Sequence, residues 1–311
     1  MLKRTLAALA LLTATTAHAF AADKLTLVLD WYINPDHAPI MVAEQIGAFK
    51  KERLDVDIVP PSSPDLPPRM VAAHRADLAV TYQPHVHFFA DQGLPLMRVG
   101  TLVNSPLNTV LTLDKNIKSP ADLKGKKVGY SISGIEQADL ATMAKHANID
   151  LSSIDMINVN FQLVSALLSH RVDAVIGGYR NVEALELQQR GEEPVIMNVE
   201  DYGVPSYDEL VLVANRDNVN DPKIKRFLKA LKEGVTYLQA HPEESWQAFA
   251  KAHPELDTKL NHASWLKTVP LFAADPAALD RKRYDTFEHF LYDHQLIKSV
   301  KPVDDYAVQV E

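Results

Sequence analysis

Short apolar runs alternate with stretches of helical spacing along nearly the whole chain. The runs Leu25–Asp30, Val56–Val59, Leu78–Val80, Leu96–Leu102, Thr109–Leu113, Lys127–Tyr130, Ile154–Asn158, Ala174–Ile176, Val195–Met197 and Glu209–Ala214 predict ten strands. Between and after them the spacing predicts helices, including Gln137–Ala147, Leu163–Ser169, Pro222–Ala240, Pro242–Ala252, Asn261–Val269 and Asp280–Asp293. Strands alternating with helices indicate an α/β architecture rather than a barrel of hairpins. The proline cluster at 60–68 predicts a loop.

Two β-rich runs, Thr109–Leu113 and Leu210–Ala214, read as crossings between lobes. Between them lies a self-contained βαβαβ pattern, from Lys118 to about Tyr207. A chain that leaves one α/β lobe, builds a second and returns predicts two lobes joined by a hinge of two crossover strands. The expected division is residues 22–112 and 214–311 in the first lobe and 113–213 in the second; one continuous α/β domain is the alternative. Clefts between such lobes commonly hold ligands.

Composition then narrows the setting. The first residues pair Lys3 and Arg4 with the apolar run Leu6–Leu12 and the small-x-small sites Ala17-His18-Ala19 and Ala19-Phe20-Ala21. That is the pattern of an export signal over residues 1–21, too short for the roughly 20 apolar residues a membrane span requires. There is no cysteine, so disulfides, thiolate chemistry and a lipidated N-terminal cysteine are excluded. The bacterial periplasm is the expected compartment, free secretion the alternative. The formal charge is −8, and residues 1–21 carry two basic and no acidic side chains, so the remainder is more acidic still. Nucleic acid and anionic membrane surfaces are poor partners for such a chain.

Candidate chemistry concentrates in loops that follow strands, where ligands of open α/β sheets sit. Asp30-Trp31-Tyr32-Ile33-Asn34-Pro35-Asp36-His37-Ala38-Pro39 gathers aromatics, carboxylates, an amide and an imidazole. Further loops are Thr81–His87, Tyr130–Glu136, Gly177–Glu183 and Tyr202–Glu209. Their shared bias toward Tyr and Trp suits a flat, nitrogen-rich ring better than a bare anion. Trp31 is either a stacking face or core. Asp30 and Asn34 are either ligand contacts or helix-capping and turn residues. His37 either contacts ligand or bonds within its turn, and Asn181 is a ligand contact or a cap. His85 and His87 form a His-x-His pair that reads more readily as helix entry than as a metal site. There is no Gly-x-Ser-x-Gly, P-loop, Gly-x-Gly-x-x-Gly or His-Glu-x-x-His.

The series Asp30-Trp31-x-x-Asn34-Pro35-x-His37-Ala38-Pro39-Ile40, Gly47-x-Phe49-x-x-Glu52, Ala76-Asp77-Leu78, Leu123–Gly129 and Tyr202-Gly203-Val204-Pro205 occurs in order. It resembles the periplasmic solute-binding proteins of the thiamine-pyrimidine type, partners of ABC importers, over essentially the whole chain after residue 21. The same superfamily includes the fungal thiamine pyrimidine synthases. The resemblance implies a type II binding-protein fold, a monomer without a cofactor, and closure on a formylamino- or hydroxymethyl-pyrimidine. The synthases' cofactor lysine would fall near Thr81, yet no lysine lies between Lys51 and Lys115. Their cysteine-rich run would fall at Val204–Asp208, where there is none, so His85 stands without the synthases' neighbours and no enzyme activity is expected.

The expected site places Trp31 and one of Tyr82, Tyr179 or Tyr207 on the two ring faces. Glu209 or Asp30 accepts from the amine and, with a protonated ring nitrogen, binds both edge atoms. Asn34, Asn181 and Ser131 or Ser133 serve the ring substituent, with His37 and His85 as further contacts. Sulfonate, nitrate or riboflavin-like ligands on the same fold are the alternative, and an exported enzyme a third reading.

Overall fold

The computed structural model describes residues 22–310; the expected export signal lies outside them. All ten strands form: β1 (Asp23–Val28), β2 (Leu54–Val59), β3 (Leu78–Thr81), β4 (Leu96–Val103), β5 (Asn108–Thr112), β6 (Lys127–Tyr130), β7 (Asp155–Asn158), β8 (Ala174–Tyr179), β9 (Val195–Asn198) and β10 (Leu210–Asn215). They build two five-stranded sheets, in the orders β2-β1-β3-β10-β4 and β7-β6-β8-β5-β9. Each sheet holds a parallel trio, closed by one strand that runs antiparallel to both its neighbours: β10 in the first, β5 in the second.

The pairing of β5 with β8 and β9 corrects the first crossing. Thr109–Leu113 is not a connector but belongs to the second sheet, and Leu210–Ala214, the expected return crossing, likewise belongs to the first sheet as β10; the chain crosses over at 104–107 and returns at 199–209. An apolar run has the same appearance whether it spans a hinge or enters the next sheet, so the sequence pattern did not separate the two.

Helices cover both sheets: α1 (Ala38–Gln45), α2 (Ala48–Lys51), α3 (Pro67–Ala72) and α4 (Gln83–Asp91) in the first half, then α5 (Ile135–His146), α6 (Leu163–Leu168) and α7 (Glu183–Gln189) beside the second sheet. The last third supplies α8 (Pro222–Ala240), α9 (Pro242–Ala252), α10 (Lys259–Thr268) and α11 (Arg281–Asp293). Pro67 and Pro68 start α3 rather than prolonging the loop, because the first helical turn needs no donated N–H there. The C-terminal part does not stay with the first sheet: Phe287 and Leu291 of α11 pack into the core of the second, while Tyr284 packs with the first. No helix among the described residues is long and apolar enough to cross a membrane.

The long helix α8 positions the opening loop. Asp221 caps it by accepting from the Lys223 N–H, and Pro222 occupies its first turn. Its buried face runs Ile224, Phe227, Leu228, Leu231, Gly234, Val235 and Leu238, the period of one helical stripe. At Gly234 this face meets α1 so closely that an added Cβ would lie 2.5 Å from the Pro39 carbonyl and 2.8 Å from the Ala43 Cβ. Gly234→Ala is therefore expected to destabilise by about 1–3 kcal/mol, read as a lower urea midpoint. An unchanged midpoint would show that the α1–α8 contact is slack.

Candidate functional site

A cleft of about 370 Å³ opens between the two sheets, lined from both sides. From the first side come Asp30, Trp31, Tyr32, Asn34, Asp36 and Tyr82; from the second, Ser131, Glu136, Phe161, Gly177, Tyr179 and Glu183. Glu209 reaches it from the end of the return crossing and Asn108 from the start of β5.

The loop after β1 is tied to itself before it faces anything else. The Asn34 side chain accepts from the Asp36 N–H at 2.7 Å, while the Asn34 N–H reaches His37 Nδ1 at 3.3 Å. With Nδ1 accepting, the ring proton sits on Nε2, which donates to Asp30 Oδ1 at 2.9 Å. Tyr82 donates its hydroxyl to the other oxygen of Asp30 at 2.8 Å. Asp30 is thus fixed from two sides at the cleft floor. His37 is fully buried and holds Asp30 rather than lining the cleft.

Glu209 is held more firmly. Its Oε2 accepts from the N–H groups of Leu107 at 2.5 Å and Asn108 at 3.0 Å, and from the Tyr207 hydroxyl at 3.1 Å. Its Oε1 takes only the Tyr179 hydroxyl, at 3.2 Å. This corrects the expected two-point grip of Glu209: Oε2 is occupied by three donors, and Oε1 alone remains for a further one. Tyr207 is fully buried beside Phe287, outside the cleft, so it braces Glu209 and does not face a ring.

A second carboxylate comes from the start of α5. Glu136 Oε2 accepts from the N–H groups of Ser131 at 2.6 Å and Ile132 at 3.2 Å. Its Oε1 lies 2.0 Å from where a Cβ on Gly177 would be, and Gly177 has φ +94°. The glycine is required twice over, for its backbone and for the carboxylate that fills its face. The Ser131 hydroxyl donates to the Asn160 carbonyl, which anchors the turn that carries Phe161.

Phe161 is the aromatic that sequence reasoning missed. Trp31 meets it edge-on at 4.6 Å and 78°, and Tyr32 lies 4.6 Å from it at 40°. Its signal was available, since Phe161 follows the strand Ile154–Asn158 as Trp31 follows β1. Tyr82 and Tyr179 line the inner cleft, with their hydroxyls committed to Asp30 and Glu209.

Three further expected residues lie outside the cleft, as His37 and Tyr207 do. Asn181 is buried and donates to Asp36 at 2.6 Å and Thr268 at 2.7 Å. His85 sits on α4 between the Thr81 hydroxyl at 3.1 Å and the Ser133 carbonyl at 3.2 Å, in a separate depression. Burial pushes its pKa down to about 4, so it is neutral. Ser133 is committed to Asp65, at 3.0 Å from both its N–H and its hydroxyl. His87 is also on α4, turned away from His85 and bonded to Glu288 at 2.5 Å, so the His-x-His pair does not converge.

Electrostatically the cleft is one-sided. The only basic side chain among its lining residues is Arg190, which pairs with Glu186 at 2.7 Å. Arg180, from the loop after β8, is engaged by both oxygens of Glu200 at 2.6 and 2.8 Å. Burial raises Glu209 and Glu183 to about 7 and Asp36 to about 6, and pushes Glu136 well up. Such an array accepts hydrogen bonds and tolerates positive charge; it has no free donor cation for an anion.

These shifts give stability a sign. The unfolded glutamates release their protons near their ordinary value of 4.5, while folded Glu209 and Glu183 keep theirs to about 7. Their contribution is therefore fully present below about pH 4.5 and is lost as pH rises through about 7. The ligand-free melting temperature is expected to fall between pH 5 and pH 8. Glu183→Gln, which still accepts from the Tyr179 N–H, should flatten part of that fall. A melting temperature that rises across the range in both proteins would refute it.

The family model described as NMT1/THI5 like matches residues 34–245. The chain is 48% identical over 298 residues to a protein of Haemophilus influenzae called a putative thiamine biosynthesis protein, covering 95% of each. It is 37% identical over 236 residues to the formylaminopyrimidine-binding protein of Halalkalibacterium halodurans, covering 75% of this chain and 72% of that one. Its fold is that of the alkanesulfonate-binding protein SsuA from Xanthomonas axonopodis pv. citri bound to MOPS, with a TM-score of 0.72 at 15% identity, covering 92% of this chain and 98% of that one. The two mixed sheets with a cleft between them are thus the type II binding-protein fold, and the chain belongs to the NMT1/THI5-like family.

Proposed function

We propose that the protein is a solute-binding protein of the bacterial periplasm that captures an aminopyrimidine precursor of thiamine, formylamino- or hydroxymethyl-substituted, and delivers it to an ABC importer. The observation that carries this reading is the cleft's pairing of aromatic faces with carboxylates, with no unpaired cation among its lining residues. A flat ring with an exocyclic amine matches it: the ring against Trp31, the amine donating to Glu209 Oε1. The substituent runs toward Asn34 and the outer wall. The formylaminopyrimidine-binding relative supports the ligand class.

Sulfonate and nitrate are disfavoured by the same feature, because the bases near the cleft are already paired. An enzyme reading lacks its parts: Thr81 stands near where the synthases' cofactor lysine would fall, with no lysine between Lys51 and Lys115, and no cysteine is present for an iron-binding run.

The test is a thermal-shift panel of aminopyrimidines, flavins, sulfonates and nitrate. Aminopyrimidines are expected to raise the melting temperature; a response confined to another class would overturn the reading. Trp31→Ala is expected to weaken aminopyrimidine binding about ten- to a hundredfold by titration calorimetry, since it removes stacking and buried area together. Trp31 is only half-buried, so stability should change little. If the variant chiefly unfolds, Trp31 is core.

A further inference from the structure

The two halves of the protein are joined by direct side-chain contacts, and one of these is built like a clasp. Asn181, in the loop after β8, reaches from the second lobe to Asp36 of the loop after β1 and Thr268 at the end of α10. Both amide protons are used: Asp36 Oδ1 accepts at 2.6 Å and the Thr268 hydroxyl at 2.7 Å. The Thr268 hydroxyl proton has two acceptors in reach, the Ser264 carbonyl at 2.8 Å and Asp36 Oδ1 at 3.2 Å, and either leaves its oxygen to accept from Asn181. All three residues are at most 2% exposed, although they lie on an interface that must part for a ligand to enter. Among the described residues Asn181 Oδ1 has no partner, so this amide is held by its donors alone.

We infer that Asp36–Asn181–Thr268 is a ligand-independent latch, which sets how much of the free protein is closed and thereby the affinity of the cleft. The inference rests on the proposed reading that ligand is held by closure of the two lobes. Apparent affinity scales with the fraction of molecules in the binding-competent form, so a residue that never meets the ligand can still control it. Asn181 is in this sense a positioning residue. A carboxylate acceptor makes its bond to Asp36 a charge-assisted one when Asp36 is ionised, and burial removes competing water. The geometry is specific to an amide facing a carboxylate. Asn181→Ala deletes both bonds, and Asn181→Asp sets two carboxylates against each other.

The protein has no cysteine, so paired spin labels can be placed without background. Suitable exposed positions are Lys251→Cys on α9, which packs with the first sheet, and Gln188→Cys on α7, which packs with the second. In the free protein the label separation is expected to be short and narrow. Asn181→Ala and Asn181→Asp should shift it toward a longer, broader distribution. The exchange Asp36→Asn with Asn181→Asp recreates an amide–carboxylate pair in reverse and should restore the short distance. Thr268→Val, which keeps the volume, should give an intermediate result, and circular dichroism checks that each variant is folded.

With an aminopyrimidine, Asn181→Ala should bind about tenfold more weakly, through faster dissociation. Wild-type separation in free Asn181→Ala, or an exchange variant as open as the single ones, would overturn the latch. The distance needs no ligand. A latch that opens as expected in a protein that ignores every aminopyrimidine would therefore refute the ligand reading and leave the latch standing.

Discussion

Glu209→Ala is expected to lower stability by about 3 kcal/mol and to remove measurable aminopyrimidine binding in the same step. The carboxylate is the point where both crossings meet. It belongs to the return crossing, and it accepts from the amides of Leu107 and Asn108 at the end of the outgoing one. Tyr207 and Tyr179 complete the set. Truncation leaves these donors facing a void, and each buried donor without a partner costs about 1–3 kcal/mol, partly offset where water enters from the cleft. The gain from removing a buried charge is small, because a group raised to about 7 is largely protonated below that pH and carries little charge to bury. The loss of donors therefore wins. Urea unfolding at pH 6 measures the stability and calorimetry the binding. A variant that unfolds like the wild type while losing affinity would show that Glu209 serves the ligand alone. One that binds normally would remove it from the site.

That double role explains what the sequence could and could not reveal. The strands were legible because each is a short apolar run bounded by turn residues, and Leu210–Ala214 is fully buried on both faces. The loops at strand ends were legible because aromatics and carboxylates are unusual company in a turn. What was not legible is which side of each loop a side chain takes. Tyr207 and Tyr179 looked alike as tyrosines at strand ends, yet one lies wholly beneath Glu209 and the other lines the cleft. Asn181 had the composition of a ligand contact and instead ties the lobes together. Such distinctions depend on long-range neighbours: Asp36 is 145 residues from Asn181, and Asn108 is 101 from Glu209. Glu136 was visible as a residue, but its place against Gly177 required the β6–β8 pairing to bring the two segments together.

The acidic character of the cleft leads to the largest discrimination expected of the protein. A hydroxymethyl-pyrimidine and its phosphate ester differ by one dianionic group, which would extend from the ring toward the wall that carries Glu183, Glu186 and Asp36. Arg190 is no counter-charge, since Glu186 already holds it from the preceding turn of α7. At an effective dielectric of about 20, each like-charge pair about 5 Å apart costs roughly 3 kcal/mol before screening. Two such encounters, reduced by salt and by the partial protonation of Glu183, leave on the order of 4 kcal/mol, or about a thousandfold in affinity. The phosphate ester is thus expected to bind about a thousandfold more weakly than the alcohol in paired calorimetric titrations. Replacing both Glu183 and Glu186 with Gln should recover much of that loss, because it removes the repulsion and frees Arg190 as a cation. Equal affinity for the two compounds in the wild type would mean that the substituent points away from this wall and out of the cleft. An unchanged ratio in the double variant would place the discrimination at Asp30, Glu136 and Glu209 on the inner side.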